Sequence, residues 1–193
     1  MNKNTLIAIL IVVVLGLGGW LIYDKTKHTT SPSSSTSSSS QSATTASDKK
    51  ILDYSHQNLT TVGSNIYSQT DATQLILSYN NLTSLPSQMG NMDKLQVLRV
   101  DHNNLQGALI AEIRKMPLLT LDASYNNMTG VPAEIGQLSQ LQTLNYSYNK
   151  INTLPKEIAN LKQLKTLNFT GNPLSASQIS QLKSELPNTT IIF

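Results

Sequence analysis

The chain has 193 residues, no cysteine and a formal net charge of +3 at pH 7. Without cysteine it forms no disulfide, no thiolate metal site and no cysteine nucleophile. The excess positive charge lies before Ile51, because residues 51–193 contain nine Lys/Arg and nine Asp/Glu. A neutral domain lacks the basic footprint of a nucleic-acid-binding protein, so we expect no nucleic-acid partner.

Residues 1–28 are predicted to be an N-terminal transmembrane signal-anchor with its flanks. The run from Thr5 to Tyr23 carries no charge, and at about 1.5 Å per helical residue it is long enough to cross the core of a bilayer. The alternative is a signal peptide cleaved near Gly19, which would leave Trp20 at the start of the mature chain. We expect the anchor to stay uncleaved, because Trp20, Leu21 and Ile22 would be an unusual start for a mature chain. We expect the rest of the chain outside the cytoplasm, mainly because the apolar run begins only four residues into the chain, as export signals do.

Residues 29–50 are predicted to be a disordered linker. Between Thr29 and Ser47 the sequence is almost entirely serine and threonine and has no charge. Such a segment has no apolar face to bury, so it cannot offset the entropy lost on ordering. We therefore expect a flexible spacer, with a glycosylated stalk as the alternative.

Residues 51–193 contain a repeat of 23 residues, which is the strongest pattern in the chain. One apolar position recurs at this interval in six copies: Leu59, Leu82, Leu105, Met128, Ile151 and Leu174. Reading back from each gives the pattern L-x-L-x-x-N-x-L, in which the first copy has Gln57 instead of asparagine. Six coincidences at one period predict stacked structural units that share a core.

The spacing within a copy predicts its local structure. Alternating apolar residues indicate a short strand with one buried face, and the asparagine is placed to hydrogen-bond backbone groups where the chain turns away, forming a ladder. Ile135, Leu138 and Leu141 then recur at intervals of three, which suits a helical or 3-10 turn. Leu109 replaces the proline that precedes this turn in other copies, so we expect an irregular turn after Leu105.

These elements predict an α/β solenoid of about six repeats. Parallel strands would line the concave face of an arc, and short helical or 3-10 turns would line the convex face. The closing segment LPNTTIIF is predicted to be a cap strand with Ile191 and Phe193 buried. A transmembrane helix and the linker would precede the solenoid.

The stretch VPAEIGQLSQLQTLNYSYNKI, Val131 to Ile151, resembles the 23-residue bacterial and intracellular type of leucine-rich repeat. The resemblance covers residues 51–193 and implies a leucine-rich repeat domain, which together with the predicted anchor makes a membrane-anchored leucine-rich repeat protein. Members of this family mostly bind proteins and share no chemistry, so the resemblance is specific for fold and not for function.

Three rows of residues are predicted to point outward from the concave face, each with one residue per copy. The first row begins at Asp53, the second, mostly serine, at Ser55, and the third at His56. The third row places rings in line at a spacing of about 4.8 Å, and exposed tyrosine is favoured at interfaces. The alternative is that these rings only stack to stabilise the sheet. The predicted partner-binding residues are Tyr79, Arg99, Asp101, His102, Asp122, Tyr125 and Tyr148. We also expect Arg99 to pair with Asp122 on the neighbouring strand.

The sequence predicts an extracytoplasmic protein-binding or adhesion module on a bacterial cell surface, with no catalytic, cofactor-binding or metal-binding residue. The expected partner is a protein, with a cell-surface glycan or glycoprotein as the alternative, and the chain itself is expected to be a monomer. The alternative function is a membrane-tethered scaffold that faces the cytoplasm and recruits a signalling protein.

Overall fold

The computed structural model describes residues 49–193. The predicted transmembrane helix within residues 1–28 and the linker up to Asp48 lie outside the described residues. Between residues 49 and 193, no helix is long and apolar enough to cross a membrane.

A parallel sheet of seven short strands runs through the whole described region, one strand per copy. Its strands, in spatial order, are β1 (Ile51–Asp53), β2 (Gln74–Ile76), β3 (Val97–Arg99), β5 (Thr120–Asp122), β7 (Thr143–Asn145), β8 (Thr166–Asn168) and β9 (Thr190–Ile192). Their register aligns equivalent residues, so that Leu52, Leu75 and Leu98 stand in one row. The predicted strand in each copy is confirmed.

The opposite side of each inner copy is a 3-10 turn. The four turns are Ser87–Asn91, Ala111–Lys115, Ala133–Gln137 and Lys156–Asn160. Pro86, Pro132 and Pro155 each stand directly before a turn with φ between −74° and −68°, the value that the proline ring imposes. The period of three is thus confirmed as 3-10 geometry.

The third copy departs from this pattern, as the loss of proline at Leu109 predicted. Its turn begins at Ala111, one residue later than the period requires, after the extended residue Ile110. The residues just before this turn form a small second sheet in which β4 (Gln106–Gly107) pairs with β6 (Asn127–Met128) of the next copy. Gly107 has a φ of +64° there, a conformation that glycine adopts without steric cost.

The core lies between the sheet and the turns, and the predicted asparagine ladder holds the bend of each copy. Asn126 is representative: its Oδ1 accepts from the Leu105 N–H at 2.9 Å, and its Nδ2 donates to the carbonyls of Val100 and Ala123 at 3.0 and 3.2 Å. Equivalent bonds are made by Asn80, Asn103, Asn149 and Asn172. Each asparagine therefore links two successive copies.

Two helices close the ends of the described region. The short helix α1 (Ser64–Tyr67) buries Ile66 in the first copy. Helix α2 (Ala176–Glu185) begins with a capping box between Ser175 and Gln178 and buries Leu182. The sequence analysis did not predict α2, because its apolar face is narrow.

The closing strand β9 forms as predicted, but Ile191 and Phe193 are only half-buried. The prediction that both are buried was wrong, because no further copy in the described region packs against their outer side. Phe193 instead has the Lys183 Nζ at 6.0 Å from its ring centroid.

Candidate functional site

The concave face is formed by the residues that flank the buried leucine of each strand. In β3 and β5 these residues include Arg99, which is exposed, and Asp122, which is half-buried. They stand next to each other in the sheet, and the predicted pair would join them. No ion pair within 4.0 Å connects them, and Asp122 Oδ1 instead accepts from the Ser124 N–H and hydroxyl at 3.0 and 2.7 Å. The predicted pair is therefore wrong, because a local turn engages the carboxylate.

The aromatic strip is the row of rings that follows the sheet, and it consists of His56, Tyr79, His102, Tyr125 and Tyr148. All five residues have a left-handed backbone, with φ between 52° and 57°. This conformation is uncommon outside glycine and costs roughly 1–2 kcal/mol per residue. It turns the chain at the end of each strand and brings the ring of each copy over that of its neighbour.

The rings form one continuous stack. Successive centroids are 4.5, 4.1, 4.2 and 4.4 Å apart, and the interplanar angles lie between 10° and 20°. The spacing is shorter than the expected 4.8 Å because neighbouring rings are in direct stacking contact. Tyr79, Tyr125 and Tyr148 nevertheless remain 48%, 45% and 49% exposed. Since the faces of the inner rings are covered, what they present to solvent is their edges and polar tips.

The stack ends on glycine. Gly171 occupies the ring position in the next copy with a φ of +74°. A Cβ there would lie 2.9 Å from Cδ1 of Tyr148, so the last tyrosine packs its outer face against the glycine backbone. This contact explains why Tyr148, stacked on one ring only, is as exposed as Tyr79, which is stacked on two.

The row between the strand and the aromatic strip was predicted to point outward, and this prediction is wrong for its serines. Ser78, Ser124 and Ser147 are buried, with 6%, 4% and 3% exposure. Ser124 and Ser147 close turns, in which their backbone N–H groups donate to Asp122 Oδ1 and Asn145 Oδ1 at 3.0 Å. The Ser78 hydroxyl instead donates to Asp101 in the next copy. These hydrogen bonds explain the burial, because they replace water as partners for the polar groups.

The same turn lowers the pKa of Asp53, chiefly through the hydrogen bonds donated by the Ser55 side chain and N–H. The pattern Asp/Asn-x-Ser/Thr at this place in four copies was a visible signal of these turns, and the sequence analysis did not use it.

Asp101 replaces serine in this row and links two copies. Its Oδ1 accepts from the Ser78 hydroxyl at 2.5 Å, and its Oδ2 lies 2.9 Å from Nδ1 of His102. Only 13% of the Asp101 side chain is exposed. Asp101 thus lies beneath the aromatic strip and not on it, whereas Tyr79, His102, Tyr125 and Tyr148 lie together on the strip.

Within the strip, the pKa of the Tyr125 phenol is raised, first by desolvation and then by its neighbour Tyr148. The Tyr125 phenol at the centre of this part of the strip is therefore neutral at physiological pH. Within residues 49–193, no group of three or more His, Asp or Glu side chains is placed to hold a metal ion.

A family model described as leucine rich repeat matches residues 116–174. No curated protein sequence matches the chain. A solved leucine-rich repeat protein of Leptospira interrogans is 30% identical over 70% of this chain and 41% of its own, with a TM-score of 0.57. The plant peptide hormone receptor RGFR1, solved in complex with RGF2, is 33% identical over 69% of this chain and 22% of its own, with a TM-score of 0.59.

The functional domain of InlJ from Listeria monocytogenes, which includes a cysteine ladder, shares the fold. It is 23% identical over 71% of this chain and 28% of its own, with a TM-score of 0.57. The chain spans less than half the length of each of these three structures. Together with the 23-residue period, the parallel sheet and the asparagine ladder, these matches show that the chain belongs to the leucine-rich repeat family.

Proposed function

We propose that this chain is a membrane-anchored, extracytoplasmic module that binds a protein partner through the aromatic strip and catalyses no reaction. The observation that carries the proposal is the exposure of Tyr79, Tyr125 and Tyr148 in one continuous row on a rigid sheet. Contiguous exposed aromatic surface is unusual on a protein that has no partner.

The strip has the properties of an interface hot spot. Tyrosine contributes large contact area at a low cost in side-chain entropy, and stacking between neighbours lowers that cost further. The exposed guanidinium of Arg99 and the second carboxylate oxygen of Asp122 lie beside it on the sheet. These charges would set the register and charge preference of a bound partner.

A polypeptide suits the strip better than a glycan. Sugar rings commonly use the open faces of aromatic side chains, and the stack covers both faces of Tyr79, His102 and Tyr125. Ring edges and hydroxyl tips are the groups that remain, and they suit the side chains and backbone of a protein surface. The RGFR1 complex with RGF2 shows a member of the same family holding a peptide hormone.

The same geometry argues against an enzyme. His102 and Ser78 are the natural candidates for a base and a nucleophile, but the Ser78 hydroxyl donates to Asp101. The hydroxyl is therefore not directed at the histidine, whereas a nucleophile must lie within hydrogen-bond reach of its base.

The membrane anchor and the orientation rest on the sequence of residues 5–23. The alternative is a cytoplasm-facing scaffold that recruits a signalling protein. Protease treatment of intact cells separates the two: we expect the repeats to be degraded from outside. Survival of the repeats until the cells are lysed would favour the cytoplasmic scaffold.

Binding through the strip is tested with a protein captured by the chain from its native source. Tyr125→Ala should weaken the binding of that protein by about 1–2 kcal/mol, roughly 5- to 30-fold, with the fold intact. The matched control is Lys162→Ala, because Lys162 is exposed on the convex side. Loss of binding in the lysine variant but not in the tyrosine variant would refute the assignment.

A further inference from the structure

One ring of the aromatic strip differs from the others in being anchored by a carboxylate. Nδ1 of His102 lies 2.9 Å from Asp101 Oδ2, and the Ser78 hydroxyl holds the other oxygen of Asp101. Since both oxygens are engaged and only 13% of the side chain is exposed, Asp101 is fixed in place. It therefore acts on the imidazole as a rigid part of the scaffold.

The ring of His102 is also held from both sides. Tyr79 stacks on one face at 4.1 Å with an interplanar angle of 14°, and Tyr125 stacks on the other at 4.2 Å and 16°. Turning the ring would break both stacks and the bond to Asp101. With two faces and Nδ1 covered, the exposed third of the side chain is the edge that carries Nε2.

The anchoring decides which nitrogen carries the proton. An ionised carboxylate can only accept a hydrogen bond, so Nδ1 must be the N–H donor to Asp101. In a neutral imidazole, the other nitrogen is then an acceptor. Nε2 of His102 therefore presents a lone pair at the centre of the strip.

We propose that Nε2 of His102 is a hydrogen-bond acceptor subsite for a donor group of the bound polypeptide, a hydroxyl, an amide N–H or an ammonium, and that Asp101 is its positioning residue. This inference rests on the proposed function of the strip. The phenols of Tyr79 and Tyr125 flank the subsite, and a phenol can both donate and accept. The histidine is thus the position that discriminates, because its neutral form rejects a partner group that can only accept.

The subsite changes character when the imidazole is protonated. His102 then donates from both nitrogens and forms an ion pair with Asp101 between two tyrosine faces. The titratable groups that face it are Asp101 from its own copy, Tyr79 from the copy before and Tyr125 from the copy after. The next charges on the sheet are Arg99 and Asp122. Protonation of the ring thus converts a site for donors into a site for acceptors.

His56 provides an internal control. It occupies the same row and stacks on Tyr79 at 4.5 Å. The residue before it is Ser55, whereas the residue before His102 is Asp101. The Ser55 hydroxyl donates to Asp53, and in the described residues no hydrogen bond reaches the ring nitrogens of His56. Its tautomer is therefore not fixed by a carboxylate.

The test is the tautomeric state of the histidines in the full-length chain labelled with ¹⁵N at histidine. The chain has three histidines, so nitrogen–carbon-bound-proton correlation spectra resolve each one. Above the pH at which His102 is protonated, we expect its Nδ1 to give a protonated-type signal and its Nε2 an acceptor-type signal. We expect His56 to show a mixture of both tautomers.

The variant Asp101→Ser tests whether Asp101 fixes the tautomer of His102. Serine occupies this position in four other copies, Ser55, Ser78, Ser124 and Ser147, so the fold tolerates it. The variant should bring the His102 signals to the mixture seen for His56, with an unchanged circular dichroism spectrum. A dominant Nε2–H tautomer in the parent chain, or unchanged signals in the variant, would overturn the proposal. Since no partner is needed, such a failure is distinct from a failure of Tyr125→Ala to weaken binding.

Discussion

Replacing Asn126 by alanine tests the ladder that supports the aromatic strip. The side chain of Asn126 joins two copies: its oxygen accepts from the Leu105 N–H, and its nitrogen donates to the carbonyls of Val100, Ala123 and Ser124. Asn126 is only 8% exposed. Water cannot replace these bonds without opening the bend.

The cost follows from which groups lose their only partner. The three carbonyls keep other donors, because Asn103, Asn149 and the His102 N–H also bond to them. The Leu105 N–H keeps none, and an unsatisfied buried donor costs about 1–3 kcal/mol. The lost net contribution of the remaining bonds adds about 1 kcal/mol. We therefore expect Asn126→Ala to lower the free energy of unfolding by about 2–4 kcal/mol.

Denaturant unfolding followed by circular dichroism measures this change, and the matched control is the next residue. Asn127 keeps its backbone bond to the Leu105 carbonyl in the variant Asn127→Ala, and its side chain makes no hydrogen bond within the described region. The control should change the free energy of unfolding by less than about 0.5 kcal/mol. Equal effects of the two substitutions would refute the ladder as the source of stability.

Two further substitutions, each with a control, probe the core and the packing of the copies. The hydroxyl of Tyr146 is buried and has no hydrogen-bond partner within the described residues, so Tyr146→Phe should raise the free energy of unfolding by about 1 kcal/mol. Tyr54→Phe, at the same place in the first copy, should lower it, because it loses a bond from Gln69. Burial raises the pKa of Tyr146, so the unfolded chain releases the phenol proton at a lower pH than the folded chain does. The free energy of unfolding is therefore unaffected by this group below the ordinary phenol pKa and falls as the pH rises from there through the folded value, so Tyr146→Phe should show weaker alkaline unfolding than the parent. Gly136→Ala should lower the melting temperature and reduce the free energy of unfolding by about 1–3 kcal/mol, because its Cβ would overlap the Glu157 carbonyl. The control Gly130→Ala, whose Cβ meets nothing closer than 4.0 Å, should leave the melting temperature unchanged.

The repeating parts of the fold could be predicted because every copy shows the same residue spacing. The strand around Leu144, the bond of Asn149 and the turn after Pro155 all follow from residue spacing that recurs at a fixed period. Even the irregular third copy had a local signal, the leucine at position 109. Where the repeat stops, this redundancy is lost, which is why helix α2 and the half-burial of Phe193 were missed.

The candidate site could be located from the sequence but not resolved in detail. The row of rings was visible as a period, whereas the left-handed backbone that brings Tyr125 onto His102 is a property of the turn and has no separate residue signal. The inward direction of Ser124 and the engagement of Asp122 depend on a hydrogen bond between residues two apart. Asp122 bonds to Ser124 and not to Arg99, because a partner two residues away costs less entropy to hold than one on a neighbouring strand.

The most direct test of the account is a map of where a bound protein partner contacts the chain. Backbone amide shifts or hydrogen exchange should be recorded with and without the partner. The account predicts that the changes concentrate on Tyr79, His102, Tyr125 and Tyr148 and on the neighbouring strands β3 and β5. Changes confined to the convex turns Ala133–Gln137 and Lys156–Asn160, with the strip unaffected, would contradict it.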